Sequence, residues 1–241
     1  MRIKDCTALV TGANRGIGRA LVSALLSGGA RKVYATARDE KKLPRFQGGD
    51  GLRLTPLTLD VTKPEDIAAA ARTAGDVTLL VNNAGVLELG DAAETSSDSI
   101  RRVFDVNVFG VLELARAFTP VIVANGGGAI TNVVSVAAFF SMPGYAAYCA
   151  SKAANWSLTQ GLRASLAPKG VAVHAIFPGP IDTEMAAGVP MDKTSVEDCA
   201  HAILAGIEAA MEDIFPDPMA SRIADAWGRD PNSVQKEFAA L

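Results

Sequence analysis

Residues 7–18 read TALVTGANRGIG, a short apolar run from Thr7 to Thr11 that breaks into glycine at Gly12, Gly16 and Gly18. The run has strand length, and Ile17 to Leu26 continues with apolar residues at helical spacing, which predicts a strand, a glycine turn and a helix. Glycine permits a tight turn and lets backbone N–H groups approach an anion, while the helix presents its positive end to it. The spacing differs from the G-x-G-x-x-G of many dinucleotide sites, and an ordinary strand-to-helix turn would use the same residues. The loop alone leaves both readings open.

The same alternation runs along the chain. Strands are predicted at Lys32–Ala37, Leu52–Leu59, Val77–Asn82, Ala129–Val136 and Val171–Phe177. Helices are predicted at Pro64–Thr73, with Thr62 as cap and Pro64 in the first turn, and at Ser97–Ala124, Tyr148–Leu166 and Val196–Met211. An irregular tail follows. Repeated β-α units with buried strands imply a doubly wound Rossmann-type parallel sheet, with residues 1–241 as one domain because no linker or composition break divides them. Ligands of such sheets sit beyond the carboxyl ends of the strands, where every polar segment discussed below falls.

Composition narrows the function. Net charge is −3 and no basic run stands out, which argues against a nucleic-acid partner. Cys6, Cys149 and Cys199 are odd in number and widely spaced, so neither a disulfide framework nor a zinc site is expected, and a reducing compartment, the cytoplasm, is the simplest setting. No signal-peptide pattern opens the chain, and no uninterrupted apolar stretch reaches the roughly 18 residues of a membrane span. His174 lies in an apolar strand pattern and His201 in a helix; no metal-ligand spacing occurs.

The second strand bears on the nucleotide. NAD sites place an acidic residue at its end, roughly 20 positions past the glycines, to hold the ribose diol. Here the strand ends Thr36-Ala37-Arg38, and Arg38, with Arg15 in the loop, suits a 2′-phosphate; NADP(H) is expected ahead of NAD(H). Asp39 and Glu40 follow directly, and a surface role for Arg38 stays open.

Four further segments join the loop: Asp60-Val61, Asn82-Asn83-Ala84-Gly85 followed by Asn107, Ser135 with Tyr148-x-x-x-Lys152, and Pro178-Gly179 with Thr183. In this order, over roughly residues 7–185, the chain resembles the short-chain dehydrogenase/reductase family, in its single-domain branch of about 250 residues. That resemblance implies that Asp60 and Val61 hold the adenine, and that Asn83, Ala84 and Gly85 line the ribose. Gly12, Arg15, Gly16, Ile17 and Gly18 would cradle the phosphates, and Pro178, Gly179, Ile181 and Thr183 the nicotinamide. The implied catalytic set is Asn107, Ser135, Tyr148 and Lys152, with Ser135 on the substrate oxygen and Asn107 holding a proton-relaying water.

The chemistry is coherent with the residues. Tyr148 and Lys152 are four apart, on one face of a helix. A free tyrosine has a pKa near 10, and a nearby ammonium together with the positive ring of an oxidised nicotinamide would lower it, making Tyr148 an efficient general acid/base for hydride transfer near neutrality; a drop of about three units corresponds to roughly 4 kcal/mol. Tyr145 cannot take this place, because Cys149 stands four positions later. The resemblance further implies that Leu87, Phe139, Phe140, Met142, Pro143, Tyr145, Met185 and Met191 wall the substrate site, and their apolar character suggests a small hydrophobic ketone, aldehyde or secondary alcohol. Epimerase or dehydratase chemistry on the same fold, and a cofactor sensor without turnover, are the alternatives. The stretch Glu212–Pro218 lacks the glycine-rich ending of many relatives, which puts a last strand and a tetramer in doubt; the long helices resemble dimer helices, so a homodimer or homotetramer is expected.

Overall fold

The computed structural model describes residues 1–43, 49–188 and 191–240. One sheet of seven strands runs through them in the order β3-β2-β1-β4-β5-β6-β7, every pairing parallel. The strands are β1 (Thr7–Val10), β2 (Lys32–Ala37), β3 (Leu54–Thr58), β4 (Leu79–Asn82), β5 (Gly128–Val133), β6 (Val171–Ile176) and β7 (Asp213–Ile214). The order reverses between β1 and β4, and the crevice at that reversal is where such sheets hold ligands.

Helices cover both faces: α1 (Gly16–Ser27) and α7 (Val196–Glu208) on one, α3 (Pro64–Thr73), α5 (Val111–Ala124) and α6 (Ala146–Leu166) on the other. Successive strand side chains point to opposite layers. Ala8 and Val10 pack with Leu21, Leu25, Ile203 and Ile207, whereas Leu9 between them packs with Leu114, Phe118 and Ile122. Two-sided burial explains the continuous apolar runs of the central strands.

Several boundaries differ from expectation for local reasons. β3 starts at Leu54 because residues 49–53 form a helical turn, α2 (Gly49–Arg53), whose Arg53 donates to the carbonyls of Ala30 (2.7 Å) and Leu26 (2.9 Å). Thr62 does not cap α3; Lys63 is the N-cap, and Thr62 donates through both its N–H (3.0 Å) and its hydroxyl (2.8 Å) to Asp60. β5 ends at Val133, so Ser135 lies beyond it, as the N-cap of a short 3₁₀ turn at Val136–Ala138. Helix α7 stops at Glu208 rather than Met211.

The helix expected at 97–124 is continuous but contains a π-helical turn at Asp105–Gly110, between α4 (Ser97–Phe104) and α5. Its length and mean hydropathy of 1.6 are those of a membrane span, although no uninterrupted apolar run signalled this; Val103, Leu114, Phe118 and Ile122 point into the core. The last strand exists after all. β7 pairs with β6 at Ala175↔Asp213 and Ile176↔Ile214, and Arg163 of α6 anchors it through Asp213 (2.7 Å).

Beyond β7 the tail is ordered helix, α8 (Pro218–Arg229) and α9 (Pro231–Ala239). Asp217, only 5% exposed, caps α8 through the N–H of Ala220 (2.8 Å) and accepts the N–H of Gly179 (2.7 Å) in the loop after β6. This carboxylate ties the tail to the sheet's carboxyl edge. Asp217→Ala removes both acceptors and should cost about 1–2 kcal/mol in urea unfolding, with a smaller loss for Asp217→Asn. Equal stability of all three proteins would refute the tie.

Candidate active site

A cleft of about 810 Å³ opens along the carboxyl edge of the sheet, over the reversal between β1 and β4. Its floor is the glycine loop. Gly12 and Gly16 adopt left-handed backbone (φ 63° and 51°) that side-chain-bearing residues rarely take. A Cβ on Gly18 would overlap the Gly12 carbonyl oxygen and the Asn83 amide, and one on Gly16 would lie 3.1 Å from Thr183 Cγ2. Helix α1 starts at Gly16 with no side-chain cap at Arg15, leaving its first N–H groups without an intrahelical partner.

This loop is stitched to the turn after β4. The Thr11 hydroxyl accepts the N–H groups of Asn83 and Ala84 (2.9 Å each), while Asn83 Nδ2 donates to the carbonyls of Thr11 (2.8 Å) and Gly12 (3.3 Å). Asn83, Ala84 and Gly85 thereby line the cleft together with Gly12, Gly16 and Ile17. Arg38 and Asp60 line its outer end, with Val61 beside them. Partial burial works to raise the Asp60 carboxyl, but the Thr62 hydrogen bonds and the Arg38 charge hold it below the ordinary value. Arg15 lines the cleft and pairs with Glu184 across it, both side chains exposed.

The polar centre lies where β5, α6 and the loop after β6 meet. Ser135, Tyr148 and Lys152 line the cleft with Pro178, Gly179, Ile181 and Thr183. The Ser135 hydroxyl accepts the Ala137 N–H (3.1 Å) and makes a long bond of 3.4 Å to the Pro178 carbonyl. Lys152 Nζ, buried, donates to the Val133 carbonyl (2.9 Å) and stands 5.6 Å from the Tyr148 ring centre. Burial lowers its ammonium from 10.5 to about 8. Burial likewise pushes the Tyr148 phenol up to about 12, against an opposing pull from the Ser135 hydroxyl. In the ligand-free cleft desolvation sets the direction of the Tyr148 shift, and the ammonium is turned to the Val133 carbonyl.

Asn107 is fully buried behind the cleft rather than in it. Its amide accepts the Val86 N–H (2.9 Å) and donates to the Val86 carbonyl (2.9 Å) and Ser151 Oγ (3.0 Å), so the side chain braces the turn after Gly85 against α6. Of the apolar wall, Leu87, Phe140, Met142, Pro143, Tyr145, Met185 and Met191 line the cleft. Phe139 does not. It stacks on Phe177 (ring centres 5.1 Å apart) and meets Trp156 edge-on (4.9 Å), as scaffold packing. Met219 and Phe238, in the unassigned tail, line the cleft instead. A buried polar row, missed in the sequence, sets α6 against the sheet: Asn82 donates to Asn132 (2.9 Å), and Asn132 to Thr159 (2.9 Å). Nothing but three-dimensional proximity marks Asn132 and Thr159.

The lysine yields a test without any ligand. The unfolded chain keeps its proton up to about 10.5 and the folded chain only to about 8, so between these values the unfolded state binds more protons and stability rises with pH. The contribution is complete above 10.5 and is lost as pH falls through 8. Lys152→Met should remove that rise from the difference between urea-unfolding curves of the two proteins; parallel curves would show that Lys152 is not desolvated.

The family model described as short chain dehydrogenase matches residues 6–194. Galactitol 2-dehydrogenase (L-tagatose-forming) from Cereibacter sphaeroides is 39% identical over 190 residues, 76% of this chain and 74% of that protein. The crystal structure of a short chain dehydrogenase from Burkholderia cenocepacia J2315 in complex with NADP superposes with a TM-score of 0.92 at 41% identity, covering 99% of both chains. One from Burkholderia phymatum in complex with NAD superposes with a TM-score of 0.86 at 26% identity, covering 98% and 97%.

Proposed function

Because the chain belongs to the short-chain dehydrogenase family, a family of oxidoreductases, we propose that it reduces an apolar ketone or aldehyde with NADPH, or oxidises the matching secondary alcohol with NADP⁺. The observation that carries this is the gathering of Ser135, Tyr148 and Lys152 in the same cleft as the glycine loop and the Pro178-Gly179 loop. The cleft fits a dinucleotide: its glycines stand where a Cβ would fill the floor, and an uncapped helix end offers N–H groups to a pyrophosphate. Gly12, Gly16 and Ile17 would hold the phosphates, Asp60 and Val61 the adenine, Asn83 to Gly85 the ribose, and Pro178 to Thr183 the nicotinamide. Arg38, exposed at the end of β2, is the cation for a 2′-phosphate, and the NADP-bound relative at 41% identity supports that choice.

The bound cofactor supplies hydride to the carbonyl carbon. Ser135 exchanges its long bond to Pro178 for one to the substrate oxygen, steadying the charge that develops there. Tyr148 then gives its proton to that oxygen. Burial keeps the phenol protonated at neutral pH, which is the form a donor needs. Lys152, held near its own titration, restores the proton. Because the Asn107 side chain is committed to Val86 and Ser151, a relay water here is held by the backbone of the π-turn, where the helical bonding is shifted. The galactitol enzyme acts on a polyol; here Leu87, Phe140 and the methionines give the reacting centre apolar walls. The exposed Phe109 and Val123, and a groove along Leu112, Pro120 and Leu162, support pairing of two chains through α5 and α6.

NADPH oxidation with hydrophobic ketones should fall about 10²–10⁴-fold in Tyr148→Phe while NADPH binding, read by fluorescence titration, persists. Undiminished turnover removes Tyr148 from the reaction. Arg38→Ala should weaken NADPH binding about 10-fold or more and leave NADH nearly unaffected, as expected for a lost charge-assisted contact. An unchanged ratio of the two affinities would exclude Arg38 as the phosphate ligand.

A further inference from the structure

The chain has six methionines, and four of them, Met142, Met185, Met191 and Met219, line the one cleft. They come from three separate segments: the turn before α6, the loop beyond Thr183, and the first turn of α8. Phenylalanines close the same end. Phe140 and Phe238 stack face to face, ring centres 3.7 Å apart and planes within 6°, and both are nearly buried. Phe238 belongs to α9, at the far end of the chain, beyond the residues matched by the family model.

That wall is fixed relative to the reacting centre. Asp217 holds the Gly179 N–H, and a Cβ on Gly179 would lie 3.4 Å from Met219 Cβ, so α8 abuts the Pro178-Gly179 loop directly. Ile223 and Val234 pack α8 on α9 in the same cluster as Phe140 and Phe238, and Arg222 pairs with Glu237 between the two helices (3.3 Å). The tail is thus packed against the cleft through both of its helices.

Thioethers are polarizable and adaptable, and sulfur meets aromatic ring edges favourably, by about 0.3–1.5 kcal/mol per contact. A pocket with several sulfurs and stacked rings therefore discriminates for a flat aromatic group over a puckered aliphatic one of equal size. We propose that the substrate is an aromatic carbonyl compound, or the matching benzylic-type alcohol, whose ring packs among Met142, Met185, Met191 and Met219, and that Phe238 sets the length the pocket accepts. This rests on the reductase reading above and names its substrate class and a specificity-determining residue.

Three ketones test it with NADPH: acetophenone, cyclohexyl methyl ketone, and the longer 4-acetylbiphenyl. The protein should favour acetophenone over cyclohexyl methyl ketone in kcat/KM by about 10-fold, the discrimination that a few sulfur–ring contacts provide. Phe238→Ala should raise the ratio of 4-acetylbiphenyl to acetophenone about 10-fold or more. Phe238→Leu, which keeps more of the packing, should move it the same way by less, and circular dichroism confirms that each variant is folded. No aromatic preference, or a length ratio unmoved in both folded variants, overturns the proposal. Calorimetric binding of the same ketones to NADPH-loaded Tyr148→Phe, with and without the Phe238 changes, reads the wall without turnover. Aromatic preference and a Phe238-dependent length limit in binding sustain the proposal even if no ketone is reduced, in which case the reductase reading alone fails; their absence in binding overturns the wall itself.

Discussion

The Thr11 hydroxyl and the Asn83 amide hold the molecule's two halves in register at the point where the strand order reverses. Thr11 accepts two backbone N–H groups from the turn after β4, and Asn83 returns two bonds to the carbonyls of the glycine loop. A parallel sheet leaves backbone groups unpaired where its central strands diverge, and unpaired buried groups are costly. Here each half satisfies the other's. The cleft exists because the two loops are fixed at this spacing, and every other site residue is placed relative to it.

The helix that carries Tyr148 and Lys152 is set by a second polar device. Asn82, Asn132 and Thr159 form a buried row from β4 across β5 to α6, while Asn107 braces the turn after Gly85 against Ser151 on the same helix. Apolar packing tolerates small slides, whereas hydrogen bonds in a dry interior lose most of their value when stretched. That is why the lysine can be held, largely desolvated, against one carbonyl. Burial also pushes the Tyr148 phenol up in the ligand-free cleft.

The tail adds selection to this chemistry. Residues after 194 lie outside the family model's match, yet Met219 and Phe238 reach the cleft, and Asp217 fastens them to the loop beside the reacting centre. The sheet's carboxyl edge and the tail that lines the pocket are thus joined through one buried carboxylate.

Period and punctuation were enough to determine the strand and helix alternation and the parallel sheet, because buried strands and amphipathic helices write their faces locally; Gly12, Gly16, Ser135, Tyr148 and Lys152 were singled out by the order of motifs that the chain shares with its family. The π-turn around Asn107, Phe139 as scaffold and Phe238 as pocket wall were decided by tertiary structure. Each depends on which groups lie close in space and how much water remains between them. A tail of 30 residues with ordinary helix caps carries no local mark of the cleft it will close; only the packing of α9 on Phe140, some 100 positions earlier in the chain, gives it that role.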